Sequence, residues 1–187
     1  MGKETSLKEL MPTGLTSEDV VFVCIGTDRS TGDSLGPLVG QRLQELGYQV
    51  YGTLQEPVHA LNLTECRERL PKDKIIIAID ACLGKTTSVG KVKVKKGPMI
   101  PGAGVNKNLG EIGDYSIAGV VNVAGFMEYF VLQNTRLSIV LNLRDQIVDM
   151  VTKALPVVKV IQFPRPTLSS QVRAWINKAL YNKEGMV

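Results

Sequence analysis

The chain has 187 residues, 44% of them apolar and 21% charged, with three cysteines and a formal net charge of +4. This composition is typical of a folded, water-soluble protein, and no apolar run reaches the roughly 20 residues that a membrane-spanning helix needs. The cysteines have no metal-ligand spacing, and their odd number argues against a disulfide framework. We therefore predict one cytoplasmic domain over residues 1–187, with residues 1–18 as an N-terminal extension.

The first predicted elements alternate between strands and helices. An apolar run over residues 20–25 predicts a buried strand, followed by a turn rich in Gly, Ser and Thr and by an amphipathic helix over residues 35–46. Residues 48–54 predict a second strand, residues 60–69 a short helix, and residues 74–80 a third apolar strand. Strands and helices in this order, joined by right-handed crossovers, predict a parallel sheet.

Alternating lysine and valine over residues 91–96 predict a half-exposed strand at an edge of the sheet, with its lysines in water. The connection before it is too short for a crossover helix, so we expect this strand to run antiparallel to its neighbour. No aromatic residues interleave with the lysines to stack on bases, and no nucleic-acid partner is predicted. Residues 97–116 form a long loop that contains prolines and several glycines.

The last third of the chain predicts more helix than strand. Residues 117–132 are mostly apolar and predict a helix, and residues 136–155 predict another because their polar positions recur at spacings of three and four. Residues 157–163 predict the last strand, and a final helix ends at Leu180. Together these elements predict an α/β fold, a three-layer α/β/α sandwich around a mostly parallel, twisted sheet of about five strands.

Two aspartates are placed to meet at one edge of this sheet. Asp33 lies in the turn after the first strand, and Asp80 ends the third strand. In a doubly wound sheet the first strand usually lies between the second and the third, so the carboxyl ends of strands one and three flank a ligand-binding crevice. Neighbouring carboxylates can share a proton, activate a water molecule and protonate a leaving amine. A divalent metal bound by the same pair is an alternative.

Each candidate residue also has a plain structural interpretation. Asp33 can cap the helix that follows it, and Asp80 can hydrogen-bond the backbone amides of a turn. His59, the only histidine of the chain, follows the second strand and is expected at the same edge, either as a packed helix-start residue or as a general base or metal ligand. A nucleophilic pair of Cys82 and His59 is a further alternative.

Three motifs, in the same order along the chain, carry a family resemblance. Residues 31–39, Thr-Gly-Asp-Ser-Leu-Gly-Pro-Leu-Val, preceded by Gly26, resemble the first motif of the spore germination protease. Residues 79–83, Ile-Asp-Ala-Cys-Leu, resemble its second acidic motif, and residues 101–107, Pro-Gly-Ala-Gly-Val-Asn-Lys, resemble its glycine-rich loop. The wider superfamily includes the hydrogenase maturation endopeptidases, and within it the chain is most similar to the small YyaC-type sporulation proteins.

The resemblance implies the phosphorylase/hydrolase-like fold of these enzymes and makes Asp33 and Asp80 the paired acidic residues. In the germination protease the matching carboxylates are proposed to act as an atypical aspartic-type pair on small acid-soluble spore proteins. The hydrogenase enzymes contact the metal of their substrate through an acidic residue beside the first motif, a second Asp and a later His. Here Ser34 stands where the hydrogenase enzymes place a Glu, and the loop over residues 111–116 has no His, with Asp114 as the candidate substitute for it.

The residues and the resemblance together predict a sporulation-associated endopeptidase that hydrolyses a peptide bond of a protein substrate through Asp33 and Asp80, with His59 beside them. The alternative is a non-catalytic protein of sporulation that keeps the fold and binds a peptide or a partner. No cofactor is predicted, because neither a GxGxxG turn nor a complete P-loop is present. Substrate binding is expected from the turn and the glycine-rich loop, through Gly26, Thr27, Ser34, Gly102, Gly104 and Asn106.

Overall fold

The computed structural model of the protein describes residues 6–101 and 110–158. Its strands are β1 (Val20–Cys24), β2 (Val50–Tyr51), β3 (Ile75–Gly84), β4 (Val92–Lys96) and β5 (Tyr115–Val123). They form one sheet in the order β2-β1-β3-β5-β4. All pairs are parallel except that of β4 with β5, which is antiparallel. The mostly parallel sheet, the position of the first strand between the second and the third, and the antiparallel lysine-rich edge strand are therefore confirmed.

Helices lie on both faces of this sheet. They are α1 (Leu7–Leu10), α2 (Leu35–Glu45), α3 (Leu63–Arg69), α4 (Glu128–Gln133) and α5 (Leu137–Ala154). The helices predicted over residues 35–46 and 136–155 are confirmed as α2 and α5, whereas β2 and α3 are shorter than predicted. No helix in the described part of the chain is long and apolar enough to cross a membrane.

The main core lies between the sheet and the pair α2 and α5. Phe22 of β1, Ile79 of β3 and Leu143 of α5 are 0% exposed and belong to one cluster of buried side chains. Burying a side chain of this size contributes about 1.5–3 kcal/mol. Leu7 of α1 is fully buried in the same cluster. The predicted N-terminal extension therefore contributes to the core.

The opposite face of the sheet carries a smaller core and the chemically interesting side chains. Its cluster contains Leu63 of α3 and Ala78 of β3. Side chains alternate along a strand, so Ile79 faces the main core while Ala78, Asp80 and Cys82 face this second side. Asp80 and Cys82 are both partly exposed there.

The helix predicted over residues 117–132 is wrong. The structure has β5 over Tyr115–Val123 and the separate short helix α4 over Glu128–Gln133. A strand in the middle of a sheet has a nearly continuous apolar sequence, which its periodicity does not distinguish from a buried helix. Gly119 fits the strand, because a Cβ at this position would lie 2.3 Å from Cδ2 of Leu35 in the helix above.

Three further predictions lie partly or wholly outside the described residues. Of the strand predicted over residues 157–163, the first two residues have no regular structure and the others are not described. The final helix ending at Leu180 is not described either. In the long loop Met99 pairs with Ile112 in an antiparallel bridge, and residues 102–109 fall outside the description.

Candidate functional site

Asp80 lies where β3 extends beyond the end of β1. Cys24, the last residue of β1, pairs with Ile79, and the N–H of Ile25 donates to the carbonyl of Ile79 at 2.7 Å. Asp80 is therefore the first residue of β3 past this partner, and β3 continues beside β5 as far as Gly84. In open parallel sheets the crevice at such a point binds ligands.

Asp33 lies in a short 3-10 turn, Gly32–Ser34, between β1 and α2. Two glycines allow this turn to approach the end of β1 closely. A Cβ on Gly26 would lie 2.0 Å from the carbonyl oxygen of Asp33, and a Cβ on Gly36 would lie 1.9 Å from that of Ile25. Gly26 also has a φ of +140°, a conformation that favours glycine. The glycines of the first motif therefore hold Asp33 at the carboxyl end of β1.

The two carboxyl groups interact electrostatically. Burial raises the pKa of Asp80 well above its ordinary value, the charge of Asp33 raises it further, and a hydrogen bond from the N–H of Ala81, 2.7 Å long, lowers it. Burial also raises the pKa of Asp33, while a backbone hydrogen bond from Thr27 and the charge of His59 lower it. An effect of the charge of Asp33 on Asp80 is expected only when the two groups are close, and it separates a carboxyl that keeps its proton from one that loses it first.

His59 reaches the site from the loop between β2 and α3. Gly26 donates its N–H to the carbonyl of Val58 at 2.8 Å, which joins this loop to the end of β1. The N–H of His59 donates to Oδ1 of Asn62 at 2.8 Å, and its Nδ1 accepts from the N–H of Leu61 at 3.3 Å. This contact engages Nδ1, which leaves Nε2 as the ring nitrogen able to donate to a ligand.

The other predicted binding residues differ in what they can offer. Ser34 is buried, and its hydroxyl donates to the carbonyl of Thr31 at 2.6 Å, so this side chain is committed to the turn. Gly26 uses its N–H within the fold, as described above. Thr27 is partly exposed, and its N–H donates to the carbonyl of Asp33 at 3.2 Å. The remaining three predicted residues fall outside the described residues: Gly102, Gly104 and Asn106.

Asp114, the expected substitute for a missing histidine, lies toward the opposite end of the strands. Its Oδ2 accepts from the N–H of Ile76 at 2.8 Å, and its own N–H donates to the carbonyl of Ile76 at 2.7 Å. Ile76 is near the start of β3 and precedes Asp80 by four residues, which corresponds to roughly 13 Å along a strand. The expectation is wrong, and Asp114 instead fixes the amino end of β3.

The register of the sheet places one of the exposed lysines of the edge strand in line with Asp80. Lys93 of β4 pairs with Ala118 of β5, which in turn pairs with Asp80. Paired residues share a face of the sheet, so Lys93 and Asp80 are on the same face with their Cα atoms roughly 10 Å apart. The alternation of lysine and valine indicates which side chains of β4 share a face, but it does not give the pairing between strands. Only that pairing could have identified Lys93 as the lysine in line with Asp80.

Cys82 is not activated as a nucleophile. Burial raises the pKa of its thiol, the charge of Lys93 lowers it, and the charge of Asp80 raises it. A reactive thiol requires a lowered pKa, normally from an adjacent base or cation. His59 is not among the groups that shift this pKa, so the structure does not support the alternative of a Cys82–His59 pair.

Metal ligands are not grouped at the site in the part of the chain that the structure describes. No three or more His, Cys, Asp or Glu side chains there could hold a metal ion together. Ser34, in the place of the hydrogenase enzymes' Glu, has its hydroxyl engaged by Thr31. A divalent metal between Asp33 and Asp80 would therefore have two protein carboxylates and would need further ligands.

Comparison with known proteins places the chain among relatives. A family model described as "Protein of unknown function (DUF1256)" matches residues 3–150. The "Uncharacterized protein YyaC" of Bacillus subtilis (strain 168) is 54% identical over 136 residues, which span 70% of this chain and 66% of that protein. The chain thus matches slightly less than two thirds of that relative's length.

Two solved structures superpose on part of the chain. The [NiFe] hydrogenase maturation protease HycI from Thermococcus kodakarensis KOD1 superposes with a TM-score of 0.51 at 16% identity, over 76% of this chain and 94% of that chain. The [NiFe] hydrogenase maturation protease HybD from Thermococcus kodakarensis gives a TM-score of 0.49 at 16% identity, over 72% and 97% of the two chains. At this identity the likeness to HycI supports the α/β fold alone.

Proposed function

This chain belongs to the DUF1256 family, and from the geometry of its site we propose that it hydrolyses a peptide bond of a protein substrate with Asp33 and Asp80. One observation carries the proposal: both carboxyl groups have raised pKa values, and the charge of Asp33 contributes to the rise at Asp80. Pairs of carboxyl groups whose environments separate their pKa values are typical of acid–base catalysis.

The physical causes of the shifts assign a role to each residue. Thr27 and His59 lower the pKa of Asp33 against the effect of burial, so Asp33 ionises first and is the base. Burial and the charge of Asp33 raise the pKa of Asp80 further, so Asp80 keeps its proton and is the acid. At a pH between the two pKa values the pair holds one proton, which is the state that acts on a neutral amide.

The reaction then needs only the pair, a water molecule and the substrate. The ionised Asp33 takes a proton from water as the water oxygen bonds to the peptide carbonyl carbon, and Asp80 donates its proton to the carbonyl oxygen. The tetrahedral intermediate collapses when its nitrogen gains the proton held by Asp33 and the C–N bond breaks. The hydroxyl proton of the intermediate returns to Asp80 as the carbonyl re-forms. His59, with Nε2 able to donate, orients the substrate or Asp33.

The biological setting of the proposal rests on the resemblance to the germination protease. It makes small acid-soluble spore proteins the first substrates to test and the cytoplasm of a sporulating cell or spore the expected location. An endopeptidase of this kind needs a substrate chain that enters the crevice in an extended form, because a folded domain does not present a backbone carbonyl to two partly buried carboxyl groups.

The test is cleavage of purified small acid-soluble spore proteins, followed by mass spectrometry across a range of pH. We expect Asp33→Asn and Asp80→Asn each to lower the cleavage rate at least about 100-fold. Asp28→Asn is the matched control, because Asp28 is an exposed carboxylate of the same turn and should leave the rate unchanged. The rate should be bell-shaped in pH, falling below the raised pKa of Asp33 and above that of Asp80.

Two results would contradict the mechanism. Cleavage by both Asn variants at the wild-type rate would remove the acid pair from the reaction. Stable binding of the spore proteins without any product would instead favour the non-catalytic candidate, a peptide-binding protein of sporulation. The engaged hydroxyl of Ser34, where the hydrogenase enzymes carry a carboxylate, is the observation that keeps this second candidate in view.

A further inference from the structure

A groove with a volume of about 490 Å³ lies beside β2. It is lined by residues 50–53, by residues of α3 and by Gln44 of α2. Residues 56–59 also line the groove, His59 among them. The charge of His59 also lowers the pKa of Asp33, so this residue connects the groove with the acid pair.

Among the described residues, the strand along the groove has one edge that pairs with no other strand. β2 is an end strand of the sheet that the described residues form. Phe22 of β1 pairs with Val50, and its N–H donates to the carbonyl of Gln49 at 3.0 Å. In a parallel ladder with this pattern, the residue opposite the donor directs its own N–H and C=O away from the partner strand. Val50 therefore presents both backbone groups toward the groove side.

The lining favours backbone recognition over an apolar anchor. Gln44, Glu65 and Arg69 are exposed polar side chains of the walls. Glu65 and Arg69 are 3.9 Å apart and mostly exposed, so their ion pair contributes little and can rearrange around a ligand. Part of the lining is fixed by a turn in which the N–H of Thr53 donates to the carbonyl of Glu56 at 3.1 Å.

We infer that an extended segment of the substrate polypeptide adds to the open edge of β2 as a further strand. Strand addition obtains its affinity from main-chain hydrogen bonds, which an open N–H and C=O pair beside a polar groove provides. His59 then lies where the added chain leaves the groove toward Asp33 and Asp80. The identity of the ligand as substrate rests on the proposed function, whereas the binding geometry does not.

The first test is backbone hydrogen exchange measured by NMR on the full-length Asp80→Asn protein, which keeps the groove. The probes are overlapping synthetic peptides of about 12 residues that cover a small acid-soluble spore protein, a length that spans the groove as one strand. We expect at least one peptide to slow exchange of the Val50 amide at least about tenfold. Absence of binding at millimolar peptide, binding without protection of Val50, or a Val50 amide that is already slow in the free protein would each overturn the inference.

A pair of matched variants tests the groove independently. Glu65→Trp fills the groove from α3, while Glu68→Trp adds the same bulk to an exposed position of α3 that does not line it. We expect Glu65→Trp to weaken peptide binding about tenfold and to raise KM with kcat unchanged, and Glu68→Trp to do neither. Equal effects of the two variants would overturn the groove assignment.

The outcomes also separate this inference from the proposed function. If the Val50 amide is protected but Asp33→Asn and Asp80→Asn still cleave, the acid-pair mechanism fails and the strand site stands. If the Asn variants lose cleavage but the Val50 amide is unaffected by every peptide, the mechanism stands and the strand site fails.

Discussion

The two faces of the sheet differ in what their side chains do. On the face covered by α2 and α5, Phe22, Ile79 and Leu143 are completely buried and apolar. On the other face, Asp80 and Cys82 of β3 are partly exposed, and burial raises the pKa of both. Neighbouring residues of β3 therefore have different roles: Ile79 stabilises the fold, and Asp80 is available for chemistry.

The difference between the two faces shows how a small α/β protein can contain buried carboxyl groups, which destabilise the folded state, and still remain folded. A carboxyl group deprived of water destabilises the folded state unless it is protonated or paired. A large apolar core on the opposite face supplies the free energy that offsets this cost. Loss of a buried apolar side chain should therefore lower stability on either face, whereas loss of the buried carboxyl group of the second face should raise it.

The largest expected effect is a cavity in the main core. Leu143→Ala should lower the free energy of unfolding by about 2–5 kcal/mol, because Leu143 is fully buried among other core residues. Leu63→Ala is the matched change on the other face, where the cluster is smaller, and should lie at the lower end of this range of about 2–5 kcal/mol. Urea unfolding measures both, and a larger loss for Leu63→Ala would reverse the ranking of the two faces.

The next effect is a gain of stability from Asp80→Asn that depends on pH. The pKa of Asp80 is raised in the folded state, so its contribution is fully present below the unfolded pKa of about 3.9 and is lost as pH rises through the folded pKa. Asp80→Asn removes this loss, and the variant should be more stable than the wild type above that pKa in thermal unfolding.

Asp19 provides the control of opposite sign. Its carboxylate accepts hydrogen bonds from the N–H and Oγ1 of Thr16, which lower its pKa. Stability from Asp19 is therefore present above the unfolded pKa and lost as pH falls, so Asp19→Asn should destabilise the protein at neutral pH. An Asp80→Asn variant that is less stable than the wild type at every pH would contradict the account of the second face.

A smaller effect is expected in the reactivity of Cys82. Because the charge of Asp80 raises the pKa of this thiol and that of Lys93 lowers it, Asp80→Asn should accelerate alkylation by iodoacetamide and Lys93→Met should slow it, each by roughly twofold to fivefold. The comparison is made above the pKa of Asp80, with mass spectrometry resolving the three thiols. Lys95→Met, on the same face but aligned with Ser116, is the control; an equal effect of both lysine variants would rule out the register argument.

The smallest effect concerns His59 and Asp33. The charge of His59 lowers the pKa of Asp33, so His59→Gln should raise that pKa further and move the acid limb of the cleavage profile to higher pH. Carboxyl 13C NMR follows Asp33 directly. An unchanged Asp33 titration would show that His59 does not act on the pair.

Much of the fold could be predicted because its central strands and long helices have strong local patterns. The apolar runs of β1 and β3 and the polar spacing in α5 are visible without structural information. β5 was missed because its burial in the sheet gives it a continuous apolar sequence, and only the close approach of Gly119 to Leu35 explains the glycine at its centre.

The candidate site was predictable only as far as chain order determines topology. The positions of Asp33 and Asp80 after strands one and three were enough to expect them at one edge. Asp114 and Lys93 required the register between strands, which depends on packing rather than on spacing. Their true places, beside Ile76 and opposite Ala118, could not be derived from the sequence.

The account depends on an electrostatic coupling between two acidic side chains that are distant in the sequence. Carboxyl 13C NMR titration of Asp80 in the wild type and in Asp33→Asn measures this coupling most directly. We expect Asp80 to titrate well above about 3.9 in the wild type and at a lower pH once the charge of Asp33 is removed. An Asp80 that titrates near its ordinary value, or at the same pH in both proteins, would contradict the claim that the two carboxyl groups form one site.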